Sequence, residues 1–247
     1  MKLTLDELGQ IAGLSLVNYR RLLALPRFAR KACSKEGRLY WQHHFTVYRK
    51  EGGTEEWYLN GKLHRVQEGP NAGPAYIFSD YSEWYQFGKI HRDNGPASIL
   101  LRGRKTWYKH GKMHREDGPA MIDNISNVKM VRWMINGITH RTQEGPLAGP
   151  AIITYYGTNN GIFTTEEWIL NDRRHRIGGP AKINSSGHEE WWLDNKLHRV
   201  DGPAVIYENG CREWWCKGKR HRIGAPAIIF ANGKERWYVM GKRVDPF

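Results

Sequence analysis

The sequence predicts a mainly β protein: an elongated antiparallel β-meander of tandem 23-residue hairpin repeats over residues 45–247, preceded by a short α-helical amino-terminal region at 1–44. Three observations predict it. A tryptophan recurs at Trp57, Trp84, Trp107, Trp133, Trp168, Trp191, Trp214 and Trp237, with four of the seven separations equal to 23. The first seven are each followed seven residues later by a His-Arg pair, at His64, His91, His114, His140, His175, His198 and His221, and then by Gly-Pro-Ala or, once, Ala225-Pro226-Ala227. Finally, 27 Gly, 11 Trp, 12 Tyr and 7 Phe with only 40% apolar residues describe a turn-rich, aromatic β chain rather than a helical bundle. A fixed period of this kind marks stacked supersecondary units.

Residues 1–44 lack the repeat. Leucine and isoleucine fall there at helical spacing, with Asp6 and Glu7 in a first turn, which predicts helices. Within each repeat an alternating segment such as Glu190–Leu193 reads as a strand, and the Asn-Gly, Asp-Asn or Lys-Gly pair after it reads as a hairpin turn. Proline donates no ladder hydrogen bond and suits the first residue of a strand, so Gly-Pro-Ala opens the second strand. Two strands per unit give roughly sixteen in a twisted ribbon. The longer separations come from insertions: 67–75 and 143–151 lengthen the same loop with nearly the same sequence, and 155–165 lengthens the turn before Trp168. Such insertions leave a repeat framework intact.

The recurring pattern of aromatic strand, Asn-Gly-Lys-x-His and a second strand resembles the MORN repeat, in which the unit is also 23 residues long. The resemblance covers about 45–247. It departs from the family where His-Gly-x-Gly is replaced by His-Arg and Gly-Pro-Ala, which makes this a MORN-like variant. The resemblance implies an antiparallel meander that scaffolds an assembly or lies near a membrane, and it points to large DNA viruses as a source and to the virion as a setting. The amino-terminal segment loosely resembles the F-box through Leu5, Leu8, Ile11, Leu22, Leu23 and Phe28, without that motif's leading proline. The alternative is a helical cap over the first edge strand, because open arrays need covered ends.

Function is bounded by charge and by repetition. Lys plus Arg exceed Asp plus Glu by 38 to 25, and the net charge of +13 favours acidic protein surfaces, nucleic acid or anionic lipid. Three cysteines, Cys33, Cys211 and Cys216, make no disulfide framework, and no run of apolar residues suggests a membrane span or a secretory leader; an intracellular, cytoplasmic protein is expected. A catalytic set is usually one group of different residues converging on one cavity, so seven identical His-Arg pairs read as structure. In that reading the histidine packs or bonds to backbone and the arginine pairs with an acid such as Asp93, Asp117 or Asp201.

The tryptophans are expected to form a core row against Ala and Ile of the neighbouring strand. The aromatic residues one position later, Tyr58, Tyr85, Tyr108, Trp192, Trp215 and Tyr238, then point to the other face and are the candidate partner-binding positions. Candidate basic contacts are Arg102, Arg104, Lys105, Arg173, Arg174, Lys217, Lys219 and Arg220. Phosphate-loop, HExxH, CxxC and nucleophile-elbow motifs are missing from the sequence, so no catalytic, cofactor or metal site and no small-molecule substrate are expected. The leading expectation is a non-catalytic scaffold that binds protein partners within a larger assembly; an F-box-type adaptor and a basic nucleic-acid or membrane binder are the alternatives. An enzyme would need a pocket formed by the insertions.

Overall fold

The computed structural model describes residues 47–69, 72–158 and 161–245. The helices and F-box-like positions expected at 1–44 lie outside the described residues, as does Cys33. Among the described residues every regular element is a strand, and no helix is long and apolar enough to cross a membrane. The chain divides into two compact units, residues 47–101 with 108–111 and residues 102–107 with 112–245.

In the first unit Thr54–Leu59 lies between Val47–Glu51 and Tyr76–Phe78, pairing Trp57 with Tyr48 and Glu55 with Ile77. Tyr81–Glu83 and Ser98–Leu100 extend the antiparallel order. In the second unit Arg104–Thr106, Met121–Ile125, Val128–Arg132, Ile152–Thr158 and Gly161–Glu167 pair in succession. The same order continues through Lys182–Asn184, Glu189–Glu190, Val205–Ile206, Arg212–Glu213, Ile228–Ile229 and Glu235–Val239. The expected antiparallel meander of hairpin repeats is therefore present in each unit.

The repeat is more finely divided than the alternation predicts. The segment read as one strand is split at the tryptophan: Glu189–Glu190 belongs to the meander, while Trp192–Leu193 pairs with Lys196–Leu197 in a separate two-stranded hairpin. Five more tryptophans, Trp84, Trp107, Trp133, Trp168 and Trp214, likewise stand between strands. Each of these six repeats thus supplies separate pieces to the meander and to a flanking hairpin, whereas Trp57 and Trp237 lie within unbroken strands, Thr54–Leu59 and Glu235–Val239. Both central residues of the hairpin turn have positive φ, as in Asn60 and Gly61 (53° and 73°), Asp194 and Asn195 (47° and 59°) or Lys217 and Gly218 (49° and 81°). That is the type I′ geometry, whose twist matches the flanking strands and which favours Asn, Asp and Gly.

A row of alanines is the most deeply buried part of the core, which also holds larger side chains such as Leu59 and Ile228. Ala75 and Ala97 in the first unit and Ala120, Ala151, Ala181, Ala204 and Ala227 in the second are fully buried. The carbonyl of each accepts the N–H of its repeat's tryptophan; Ala204 accepts from Trp191 N at 2.7 Å and donates to Glu213 O at 2.8 Å. Of the eight tryptophans, Trp168 is buried and the other seven are half-buried. The expected tryptophan core row is thus a partly open layer over an alanine row.

Candidate functional site

The first seven tryptophans each carry an arginine from their own repeat. Arg65 lies 3.9 Å from the ring centroid of Trp57, Arg92 4.0 Å from Trp84, Arg115 4.3 Å from Trp107 and Arg141 3.9 Å from Trp133. Arg176 on Trp168, Arg199 on Trp191 and Arg222 on Trp214 stand at 3.8, 4.0 and 3.9 Å. The guanidinium also donates through Nη1 to the carbonyl of the repeat's proline, at 3.1 Å in Arg176 to Pro180 and 3.2 Å in Arg222 to Pro226. In the repeats of Arg176 and Arg199 the residue before that proline is a glycine packed against the guanidinium, where an added Cβ on Gly179 or Gly202 would stand 3.0 Å from the guanidinium carbon; Ala225 holds the same place beside Arg222. A planar cation against an indole face, hydrogen-bonded at its edge, is arginine chemistry that lysine does not reproduce. Burial lowers the pKa of Arg65, Arg92, Arg141 and Arg176 from the ordinary arginine value.

The histidines link one repeat to the next. Nδ1 of His64 accepts the Phe87 N–H at 3.2 Å, His91 that of His110 at 3.0 Å, His114 that of Asn136 at 3.1 Å, His198 that of Lys217 at 3.3 Å and His221 that of Met240 at 3.2 Å. His175 accepts from Asp194 N at 3.4 Å, and His140 Nδ1 stands 2.9 Å from Asn171 Oδ1. Every residue reached in this way has positive φ and begins the next I′ turn. The expected histidine-to-backbone bond is therefore an inter-repeat bond. It holds left-handed residues such as Phe87, Lys217 and Met240, where the side chain itself is unsuited to that conformation.

The expected arginine–acid pairs are present at Arg115 with Asp117 (2.8 Å) and Arg199 with Asp201 (2.9 Å). Asp93 instead bonds Nε2 of His91 at 3.1 Å. The hydrogen bond from its arginine holds each of Asp117 and Asp201 below the usual carboxylate range.

The candidate aromatic positions Tyr58, Tyr85, Tyr108, Trp192, Trp215 and Tyr238 are all half-buried. Four are tied to a glutamate two residues earlier: Tyr58 to Glu56 (2.8 Å), Tyr85 to Glu83 (2.6 Å), Trp192 to Glu190 (2.7 Å) and Trp215 to Glu213 (2.8 Å). Arg220 lies over both Trp215 and Tyr238, at 5.0 and 5.7 Å. Among the candidate basic residues Arg104 pairs with Asp123, Arg174 with Glu167 and Arg220 with Glu213. Arg102, Arg104, Lys105, Arg173, Lys217 and Lys219 are exposed.

The second insertion forms one wall of an open groove of about 840 Å³, lined among others by His140, Gln143, Glu144, Trp168 and His175. Nδ1 of both histidines is engaged, by Asn171 and Asp194. No group of three His, Cys, Asp or Glu side chains suited to a metal ion occurs among the described residues.

The sequence reading missed a row of exposed aliphatic residues. Ile177, Val200 and Ile223 follow the His-Arg pair in three consecutive repeats and are 80, 89 and 78% exposed. Counterparts elsewhere are Asp93, Glu116 and Thr142, or the buried Val66. The available signal was an aliphatic residue recurring every 23 positions in a loop rather than in a strand. No protein-family model matches the chain, and no curated protein matches it.

Proposed function

We propose that the protein is a non-catalytic scaffold, a diverged MORN-like array that binds protein partners within a larger assembly. The observation that carries this reading is the row Ile177, Val200 and Ile223. Single exposed aliphatic residues are ordinary, but three at the same position of successive units, each more than three-quarters exposed, make a periodic apolar surface that water does not favour. The Trp–Arg stacks and His–turn bonds support the reading by fixing each loop to its neighbour, so that the row is presented on a preorganised frame. Replacing all three with Asn in the full chain and purifying both forms from the cells that produce it tests the proposal. Loss of specific protein partners from the variant, with unchanged thermal stability, is the expected result. An identical partner set for both forms would overturn the assignment of this surface.

A further inference from the structure

A second periodic row lies on the flanking hairpins of the second unit. The first residue after the turn is basic in four consecutive repeats: Arg173, Lys196, Lys219 and Lys242, all exposed. None makes an ion pair among the described residues, although Arg174 and Arg220 beside them are neutralised by Glu167 and Glu213. The acids of the same turns are occupied: Asp172 Oδ1 accepts the Thr139 N–H at 2.8 Å, and Asp194 Oδ1 stands 3.1 Å from His175 Nδ1. The stems are seated as well. A Cβ placed on Gly218 would be 3.7 Å from Lys196 Cβ, and one on Gly241 would be 3.7 Å from Lys219 Cβ, so the side chains of Lys196 and Lys219 leave their hairpins along the turn of the next. The four pair across their hairpins with Leu170, Leu193, Cys216 and Val239, which places one apolar or thiol side chain beside each charge on the same face.

The step of this row is set by backbone hydrogen bonds. Asn195 N donates to Arg174 O at 3.0 Å, Gly218 N to Leu197 O at 2.9 Å and Gly241 N to Arg220 O at 2.8 Å, so each repeat advances by two strand spacings. At about 4.8 Å per spacing the charges recur every ~9.6 Å. Residues on one face of an extended strand recur at about 6.8 or 13.6 Å and fall out of step. Every seventh residue of an α-helix recurs at about 10.5 Å on one face. The accumulated mismatch over three steps is then about 3 Å, within the swing of a lysine side chain. A single-stranded nucleic acid has no fixed register for such a row to match.

We propose that Arg173, Lys196, Lys219 and Lys242 form a docking row for an α-helix of a partner protein that carries Asp or Glu at every seventh position. This rests on the protein-binding reading and names the chemistry of the partner. The probe is a four-heptad helical peptide with Glu at every seventh position, compared by fluorescence anisotropy with an isomer of equal helicity whose Glu positions are shuffled.

The full chain is expected to bind the in-register peptide about ten-fold more tightly than the isomer, with the affinity falling as salt rises. Changing the four residues to Gln abolishes the preference; changing the exposed Lys109, Lys129, Arg212 and Lys234 to Gln, an equal loss of charge, leaves it intact. Equal binding of the two peptides, or equal loss in both variants, would overturn the row. So would a ladder-dependent preference for oligothymidylate over either peptide, which would make it a nucleic-acid surface. Partner capture through Ile177, Val200 and Ile223 reads the broader scaffold assignment separately: capture retained by the chain with an unselective ladder sinks only the ladder.

Discussion

The guanidinium of Arg222 lies 3.9 Å above the ring of Trp214 and donates to the carbonyl of Pro226 at 3.2 Å. One side chain thereby fastens the start of the hairpin to the start of the next strand of its own repeat. Arg222→Lys keeps the charge but loses the planar stack and the fork geometry of the donor. The variant should be destabilised by about 1–2 kcal/mol, the sum of a partly desolvated cation–π contact and a hydrogen bond. Thermal unfolding of Arg222→Lys beside Arg212→Lys, at an exposed site, is the measurement. Equal melting temperatures would mean that the stack contributes nothing to stability.

Much of the fold and less of the site could be read from the sequence, for reasons visible at particular residues. The period of 23 and the hairpin turns were legible because Trp191, Trp214 and Trp237 recur in register and Gly218 and Gly241 mark positive φ. The break of the strand at Trp191 was not, since alternation through Glu190–Leu193 continues across it and only the hydrogen bonds from Trp191 N to Ala204 O and from His198 N to Trp191 O show the change of partner. The arginine stack was hidden because Arg199 and Trp191 are eight residues apart and a nearby Asp201 offered a simpler partner. The basic row was masked in the same way, because Gly218-Lys219 reads as turn chemistry whatever its lysine faces.

Gly103 faces a neighbour that cannot yield. Its φ is 131°, and a Cβ there would stand 2.2 Å from the backbone oxygen of Asn124. Gly187, in another turn of the same unit, has φ of 92° with nothing within 4 Å of the added Cβ. Gly103→Ala therefore combines backbone strain with a backbone clash and should cost more than 2 kcal/mol, roughly twice the strain expected of Gly187→Ala alone. Urea unfolding of the two variants decides it. A smaller loss in Gly103→Ala than in Gly187→Ala would contradict the close approach.

The two insertions act as struts. Gln67 donates to His91 O at 3.2 Å and accepts from Asp93 N at 2.8 Å. Gln143 repeats the arrangement in the second unit, donating to His175 O at 2.7 Å and accepting from Ile177 N at 3.4 Å. One amide side chain thus satisfies a carbonyl and an N–H of the following repeat. Gln143→Glu keeps an acceptor but sets a carboxylate against the His175 carbonyl, whereas Gln143→Ala leaves both backbone groups to water. Losses of about 1–2 kcal/mol are expected for both, with Glu recovering towards wild type as the pH falls and its carboxyl becomes a donor. A Gln143→Glu variant whose melting temperature is independent of pH between 7 and 4, relative to wild type, would exclude the donor bond.

His64 should make the first unit sensitive to acid. Its side chain is 1% exposed, Nδ1 accepts the Phe87 N–H, and Nε2 has no hydrogen-bond partner among the described residues. The Phe87 ring lies 4.5 Å away, no carboxylate among the described residues pairs with the imidazole, and burial pushes the pKa down to about 4 from the ordinary 6.5. The folded state then binds fewer protons than the unfolded state between those values. Stability is complete above about pH 6.5 and falls as the pH drops towards 4, by on the order of 3 kcal/mol in total. Protonation of Nδ1 also removes the acceptor for Phe87 N, so the same step loosens the bond between the first two repeats. His91 shifts in the same direction, again through burial, but its Asp93 opposes the shift and should make its contribution smaller. Hydrogen exchange at Phe87 N, followed at pH 7 and pH 5 with correction for intrinsic rates, isolates this bond from global unfolding. Protection should fall at pH 5 in the wild type and change less in His64→Gln; unchanged protection in the wild type would show that His64 does not take up the proton in the folded chain.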